Sequence, residues 1–241
     1  MKTATLLVDC QKGFGDKKVN ELYVPGGEQI VDTINSYMTQ VKNVGGIVIA
    51  SRELHQVGNI GFASSYVGKL PITSVVVGDP RGIVTLAEAK AVGPAILSPQ
   101  AGFTFEELIV SLESQNGVIP LWPDHCVDMT PGAEYMNGLD VSHIDFEVVK
   151  GNRFHEHPFS AALAIHQQTR LTTLEILEQQ QIEQVDILGL ATDYCDKDSA
   201  IDIVATGKYR VRLILAGVRA VNSSTGEAAI ELMRERGIQI I

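Results

Sequence analysis

The chain has 241 residues, with 19 Lys and Arg against 29 Asp and Glu for a formal charge of −10, and is 45% hydrophobic and 20% charged. This ordinary globular composition excludes disorder, collagen and a disulfide-stapled mini-protein, and at this length a sizeable core is buried without bridges or a structural metal. The acidic balance offers no basic footprint for nucleic acid or an anionic membrane, so a small molecule is the expected partner.

Residues 5–8 read as a first strand entering a Gly- and Lys-rich turn at 10–18. Pro25-Gly26-Gly27 introduces a helix to about Val44, because Ile30, Val31, Ile34, Tyr37, Met38 and Val41 recur at helical spacing. Gly45-Gly46 ends it. Residues 47–50 form the second strand, and the polar run 51–55 sits where that strand leaves the sheet. The stretch of about 65–116 is less regular, with Pro71, Pro80, Pro94 and Pro99, a strand candidate at 75–77 and a helix at 105–112. It reads as an elaboration, a lid or an oligomer contact. Strands follow at 118–121, 146–149, 185–189 and 211–216, helices at 168–180, 194–206 and 226–236, and a short last strand at 238–241.

Short β-rich runs alternating with helices predict one doubly wound α/β domain over 1–241, with a mostly parallel sheet and helices on both faces. The longest run of apolar residues and glycine, 44–50, has seven residues, against about 18–20 for a membrane span. Lys2 and the short run before Asp9 do not make a signal peptide, which points to the cytoplasm. An odd set of cysteines, Cys10, Cys126 and Cys195, then reads as free thiols.

Four polar clusters follow predicted strands: Asp9-Cys10-Gln11, Arg52-Glu53-Leu54-His55, Lys150, and Thr192-Asp193-Tyr194-Cys195. In a parallel sheet such positions gather on one edge. Cys195 falls in the first turn of a helix that Thr192 or Asp193 could cap, where the dipole favours thiolate, although a small buried core residue is the alternative. Asp196 and Asp198 oppose thiolate formation, so a nearby base is wanted. Asp9 could supply it, with Lys150 holding the carboxylate; alone, each also fits a turn former and a solvated lysine. Glu53 and His55, two apart in an extended segment, could present an oxygen and an imidazole to one metal, with His125 as third ligand. His143, His155, His157 and His166 read as surface residues, with His155 and His157 near a pocket entrance.

Together, Leu7-Val8-Asp9-Cys10-Gln11-Lys12-Gly13-Phe14, Ser51-Arg52-Glu53-Leu54-His55, Leu121-Trp122-Pro123-Asp124-His125-Cys126-Val127, Lys150-Gly151 and Gly189-Leu190-Ala191-Thr192-Asp193-Tyr194-Cys195 resemble the nicotinamidase/pyrazinamidase branch of the isochorismatase-like cysteine hydrolases. The resemblance spans residue 3 to the C-terminus apart from about 65–116. It implies the isochorismatase-like fold and a carboxamide hydrolase with the triad Asp9, Lys150 and Cys195. It also implies an oxyanion hole of the Ala191 and Cys195 backbone N–H groups, with a cis peptide between Leu190 and Ala191. Phe14, Trp122 and Phe159 would line an aromatic pocket. One divalent ion, zinc foremost with iron or manganese as alternatives, would be held by Glu53, His55 and His125. Nicotinamide, and pyrazinamide as its analogue, are the implied substrates in NAD salvage, and a homo-oligomer is a family expectation.

Three positions depart from the pattern. Glu53 replaces the usual Asp and reaches further by about one bond; Asn59 stands where several members have histidine; Asp196 replaces a small apolar residue. Two other readings remain: a metal-independent amidohydrolase of the same superfamily acting on another small amide or carbamate, and a non-catalytic binding protein.

Overall fold

The computed structural model describes residues 1–76 and 78–241. The strands are β1 (Thr3–Val8), β2 (Ile47–Glu53), β3 (Ile83–Thr85), β4 (Val118–Pro120), β5 (Phe146–Lys150), β6 (Ile165–His166), β7 (Gln184–Leu190), β8 (Arg210–Arg219) and β9 (Gln239–Ile240). The helices are α1 (Lys12–Gly15), α2 (Val31–Asn43), α3 (Leu86–Val92), α4 (Phe105–Ser114), α5 (Thr173–Gln179), α6 (Lys197–Ala205) and α7 (Ser223–Glu235). No helix among the described residues is long and apolar enough to cross a membrane. Two compact units emerge: Met1–Glu53, Pro131–Lys150 and Pro158–Ile241 form the first, Leu54–Thr130 and Gly151–His157 the second. The second unit thus starts before the irregular segment expected at about 65–116.

In the first unit, seven strands pair in the order β6-β5-β2-β1-β7-β8-β9. All these pairs are parallel except β5 with β6. This is the doubly wound arrangement, and its central strands show why: every residue of β7 is buried, as expected where helices cover both faces and apolar residues run almost uninterrupted. Ala4, Leu6, Ile49, Val148, Val185 and Ile187 join Ile203, Leu213 and Met233 in one core. Helix α2 contributes Val31, Ile34, Met38 and Val41 as its buried stripe.

The second unit has its own core of Ile60, Val84, Leu108, Leu112, Ile119 and Leu121. β3 and β4 pair antiparallel within it. Helix α4 starts at a complete capping box, with Thr104 and Glu107 each accepting from the other's backbone N–H.

The strand candidate at 75–77 includes Val77, which lies outside the described residues; Ile72–Ser74 before it forms a 3-10 turn. Three differences from the sequence reading have local causes. The helix expected from 168 starts at Thr173, because Thr172 and Glu175 make a capping box there, and Arg170 has a positive φ of 64°. The helix expected at 194–206 opens as a π-turn, Thr192–Asp196, before α6. Its start has no side-chain cap: Asp193 instead accepts from Val221 N, Asn222 N and Thr225 Oγ1.

Candidate active site

Asp9 directly follows β1 with a positive φ of 47°, Glu53 ends β2, Lys150 ends β5, and Cys195 lies in the π-turn after β7. Parallel pairing places these strand ends on the same edge of the first unit's sheet, where sites of open α/β sheets gather. Asp9 is fully buried and Lys150 and Cys195 are nearly so. Lys150 Nζ lies 2.9 Å from Asp9 Oδ2 and 2.5 Å from Glu53 Oε1. The same ammonium donates to Cys195 Sγ at 3.5 Å and to the Pro158 carbonyl at 3.1 Å. Ser51 Oγ donates to Asp9 Oδ1 at 2.7 Å, and Cys195 Sγ is 3.9 Å from Glu53 Oε1.

The electrostatics follow from one cation among several acids. Burial raises the Asp9 carboxyl above its ordinary range, against the pull of Lys150 toward the carboxylate. Burial opposes the charge on Lys150, yet Asp9, Cys195 and Glu53 hold its proton and raise it well above a usual lysine. The Cys195 thiol is pushed well up by burial and by both acids, with Lys150 pulling the other way. A resting neutral thiol beside an ammonium and a carboxylate suits a nucleophile whose proton leaves as it attacks, rather than a standing thiolate. Next to it, Asp196 is fully buried, neither of its carboxyl oxygens has a hydrogen-bond partner among the described residues, and burial raises it well above its usual range, Asp9 and Asp193 adding to the shift.

The Leu190–Ala191 peptide is cis. Ala191 carbonyl oxygen accepts from Tyr194 N at 3.0 Å and Asp196 N at 3.2 Å, which folds the chain back at Cys195. Phe14 is buried in α1, and Phe159 is partly buried with its ring centroid 5.6 Å from that of Tyr194. Trp122 is buried in the second unit, where its backbone N–H donates to Gly61 O at 2.8 Å.

In the second unit, His55, His125 and His157 each bring one ring nitrogen within 4.8 Å of the others, whereas Glu53 groups with Asp9 and Cys195. Glu53 is thus placed beside Lys150, and His157, read from sequence as a surface residue, is the third imidazole. Sequence reasoning also missed Ser51 on Asp9. A polar residue directly after the apolar run Ile47–Ala50 of β2 was the available signal, since buried hydroxyls need a partner.

No family model matches the chain. It is similar to the nicotinamidase of Escherichia coli (strain K12), 29% identical over 95% of this chain and 89% of that one. Its structure resembles the pyrazinamidase of Pyrococcus horikoshii in complex with zinc, at a TM-score of 0.66 and 24% identity over 100% of this chain and 99% of that chain. It also resembles an isochorismatase-like hydrolase from Alkaliphilus metalliredigens, at a TM-score of 0.60 and 16% identity over 100% and 94%. The fold is that of the isochorismatase-like hydrolases.

Proposed function

We propose that this relative of the nicotinamidases hydrolyses nicotinamide to nicotinate and ammonia. The observation that carries the reading is the buried group in which one ammonium, Lys150 Nζ, stands 2.9 Å from Asp9 and 3.5 Å from the Cys195 thiol. Asp9 takes the thiol proton as Cys195 Sγ bonds to the carboxamide carbon, and the Ala191 and Cys195 N–H groups receive the oxyanion. Collapse breaks the C–N bond, and Asp9 returns the proton to the departing ammonia, leaving an acyl-thioester on Cys195. A water then gives a proton to Asp9 and its oxygen to the thioester carbon. Breaking the C–S bond releases the acid, and Cys195 recovers its proton. Lys150 keeps Asp9 ionised against its burial and balances the developing negative charge.

Phe14, Trp122 and Phe159 are the apolar residues we assign to the flat pyridine ring. The imidazoles fit a divalent ion, because His55 Nδ1 and His125 Nδ1 meet the Gly151 and Pro123 carbonyls at 3.0 and 2.7 Å, which leaves Nε2 as the electron-pair donor on each ring. Bound there, such an ion supplies a Lewis acid for the pyridine nitrogen. Zinc is the metal we assign, on nitrogen donors and on the zinc complex of the Pyrococcus relative. Pyrazinamide, a ring analogue, is the second substrate expected. We place the protein in the cytoplasm, in salvage of the pyridine ring.

The test is ammonia release from nicotinamide by the purified full chain, with Cys195→Ala alongside. Release by the wild type that Cys195→Ala lowers at least about 10⁴-fold supports the reading; no release from nicotinamide or pyrazinamide with zinc, iron or manganese supplied removes it.

A further inference from the structure

Two acids share the turn that carries Cys195, and the fold treats them oppositely. Asp193 accepts from Val221 N at 2.9 Å, Asn222 N at 3.2 Å and Thr225 Oγ1 at 2.6 Å. Asp196, three residues on in the same π-turn, is 0% exposed, and neither of its carboxyl oxygens has a hydrogen-bond partner among the described residues. Its backbone N–H donates to the Ala191 carbonyl at 3.2 Å, so the bond that holds Asp196 in place belongs to the turn that carries Cys195.

A carboxylate in that setting has nothing to replace the water it leaves, and a group so placed keeps its proton instead. The surrounding charges push the same way. Asp9, just after β1, and Asp193 on the turn itself oppose a negative charge at Asp196, and Lys150 at the end of β5 is the cation that favours one. Lys150 is already shared among Asp9 at 2.9 Å, Glu53 at 2.5 Å and the Cys195 thiol at 3.5 Å. Cys10 feels Asp196 in return: burial pushes its thiol up, and Asp196 adds more to that rise than Asp9 does. The turn also holds Tyr194. Of the elements packed against it, α6 brings Lys197, paired with Asp198 at 3.3 Å, and the exposed Asp202. Helix α7 brings the exposed Glu227, Glu231, Arg234 and Glu235. Strand β7 carries Asp186, held by Arg212 of β8 at 2.6 Å, and β8 adds the exposed Arg210 and half-buried Arg219.

We propose that Asp196 is a positioning residue for Cys195 that serves as a neutral carboxylic acid, and that its ionisation sets the alkaline limit of turnover. The neutral acid follows from burial without partners; its effect on turnover rests on the amidase reading above. While Asp196 holds its proton, it adds no charge to the group around Lys150. Once hydroxide takes that proton, a further carboxylate stands one residue from Cys195. It opposes the negative charge that the sulfur and the oxyanion must gain during attack. An apolar residue at this position would carry no such limit.

The experiment uses the purified full chain. Infrared difference spectra between wild type and Asp196→Asn, taken across the pH range, read the carbonyl stretch of a neutral carboxylic acid. The wild type is expected to show a band at neutral pH that Asp196→Asn lacks and that fades as pH rises; its absence at neutral pH overturns the proposal, because the acid is then already ionised. Ammonia release from nicotinamide is followed over the same range. Wild-type kcat is expected to fall about 10-fold or more where the band fades. Asp196→Asn and Asp196→Val are each expected to move that fall upward by at least about one pH unit, and the apolar variant carries the test should the amide fold poorly. A role in packing alone scales kcat by one factor at every pH and leaves the midpoint in place, an outcome that overturns the proposal. A fading band in a chain that releases no ammonia removes the amidase reading and leaves the neutral acid standing; ammonia release with an unmoved alkaline midpoint in both variants does the reverse.

Discussion

Lys150 is surrounded by Asp9, Glu53 and Cys195 at 2.9, 2.5 and 3.5 Å, whereas His55, His125 and His157 hold their rings through the neutral oxygens of Gly151, Pro123 and Asn59. The first group persists because opposite charges neutralise one another out of water, and removing one member leaves the others uncompensated. The second depends on tautomer and orientation, which neutral hydrogen bonds set without a charge to balance. One chain thus uses two ways of preparing a buried polar group. On the reading proposed above, perturbing the first is expected to change proton chemistry and stability, and perturbing the second to change metal affinity.

That separation can be tested most severely at Asp9. Asp9→Asn removes the base and is expected to lower kcat for ammonia release by about 10²–10⁴-fold, while Zn²⁺ affinity stays at the wild-type value; a parallel loss of affinity breaks the comparison. Because burial raises the Asp9 carboxyl above 3.8, the base form is lost on acidification at a pH above that value, and the acid limb of the wild-type rate profile belongs there.

Lys150→Met leaves two carboxyls buried without their cation and is expected to cost about 3–5 kcal/mol at neutral pH, read by urea unfolding. The sign with pH is fixed. Without the lysine, burial holds the folded-state Asp9 carboxyl above its unfolded value, so the native state binds more protons and the deficit grows as pH rises. It shrinks as pH falls toward the ordinary carboxylate range.

Asp196→Asn sharpens the point with a smaller effect in the opposite direction. The raised folded-state value of Asp196 means that wild-type stability falls as pH rises above the unfolded value of about 3.9. The amide keeps the shape and loses that dependence, so a gain of about 1–3 kcal/mol at pH 8 should fade near pH 4. The smallest effect belongs to Thr104→Ala in the capping box of α4. About 1 kcal/mol of stability is expected to go, with ammonia release unchanged when measured well below the unfolding transition.

The positions of Asp9, Lys150 and Cys195 were readable because each ends or follows an apolar strand, and a parallel sheet turns that recurring local pattern into one edge. Spacing alone did not settle how Glu53 and His55 face. Alternation puts residues two apart on one face only while the strand continues, and β2 ends at Glu53. His157 left no periodic signal, since its placement depends on an amide 98 positions earlier in the chain. The short strands β3 and β6, three and two residues long, are set by tertiary pairing and carry too few residues for a pattern. The π-turn at Thr192–Asp196 follows from backbone geometry and not from residue type, and helix periodicity reads straight through it.

Gly189 pairs with Val8 across the β1–β7 ladder with φ +140°, and a Cβ there would lie 2.0 Å from the Val8 carbonyl oxygen. The strand that leads to Asp9 and the strand that leads to Cys195 are therefore spaced by a single hydrogen atom. In a library of every single substitution, position 189 is set to score as intolerant as the proposed nucleophile Cys195, and no choice of substrate, metal or pH in the screen will tell the two apart. Only a folding assay run beside the activity screen assigns one to chemistry and the other to spacing.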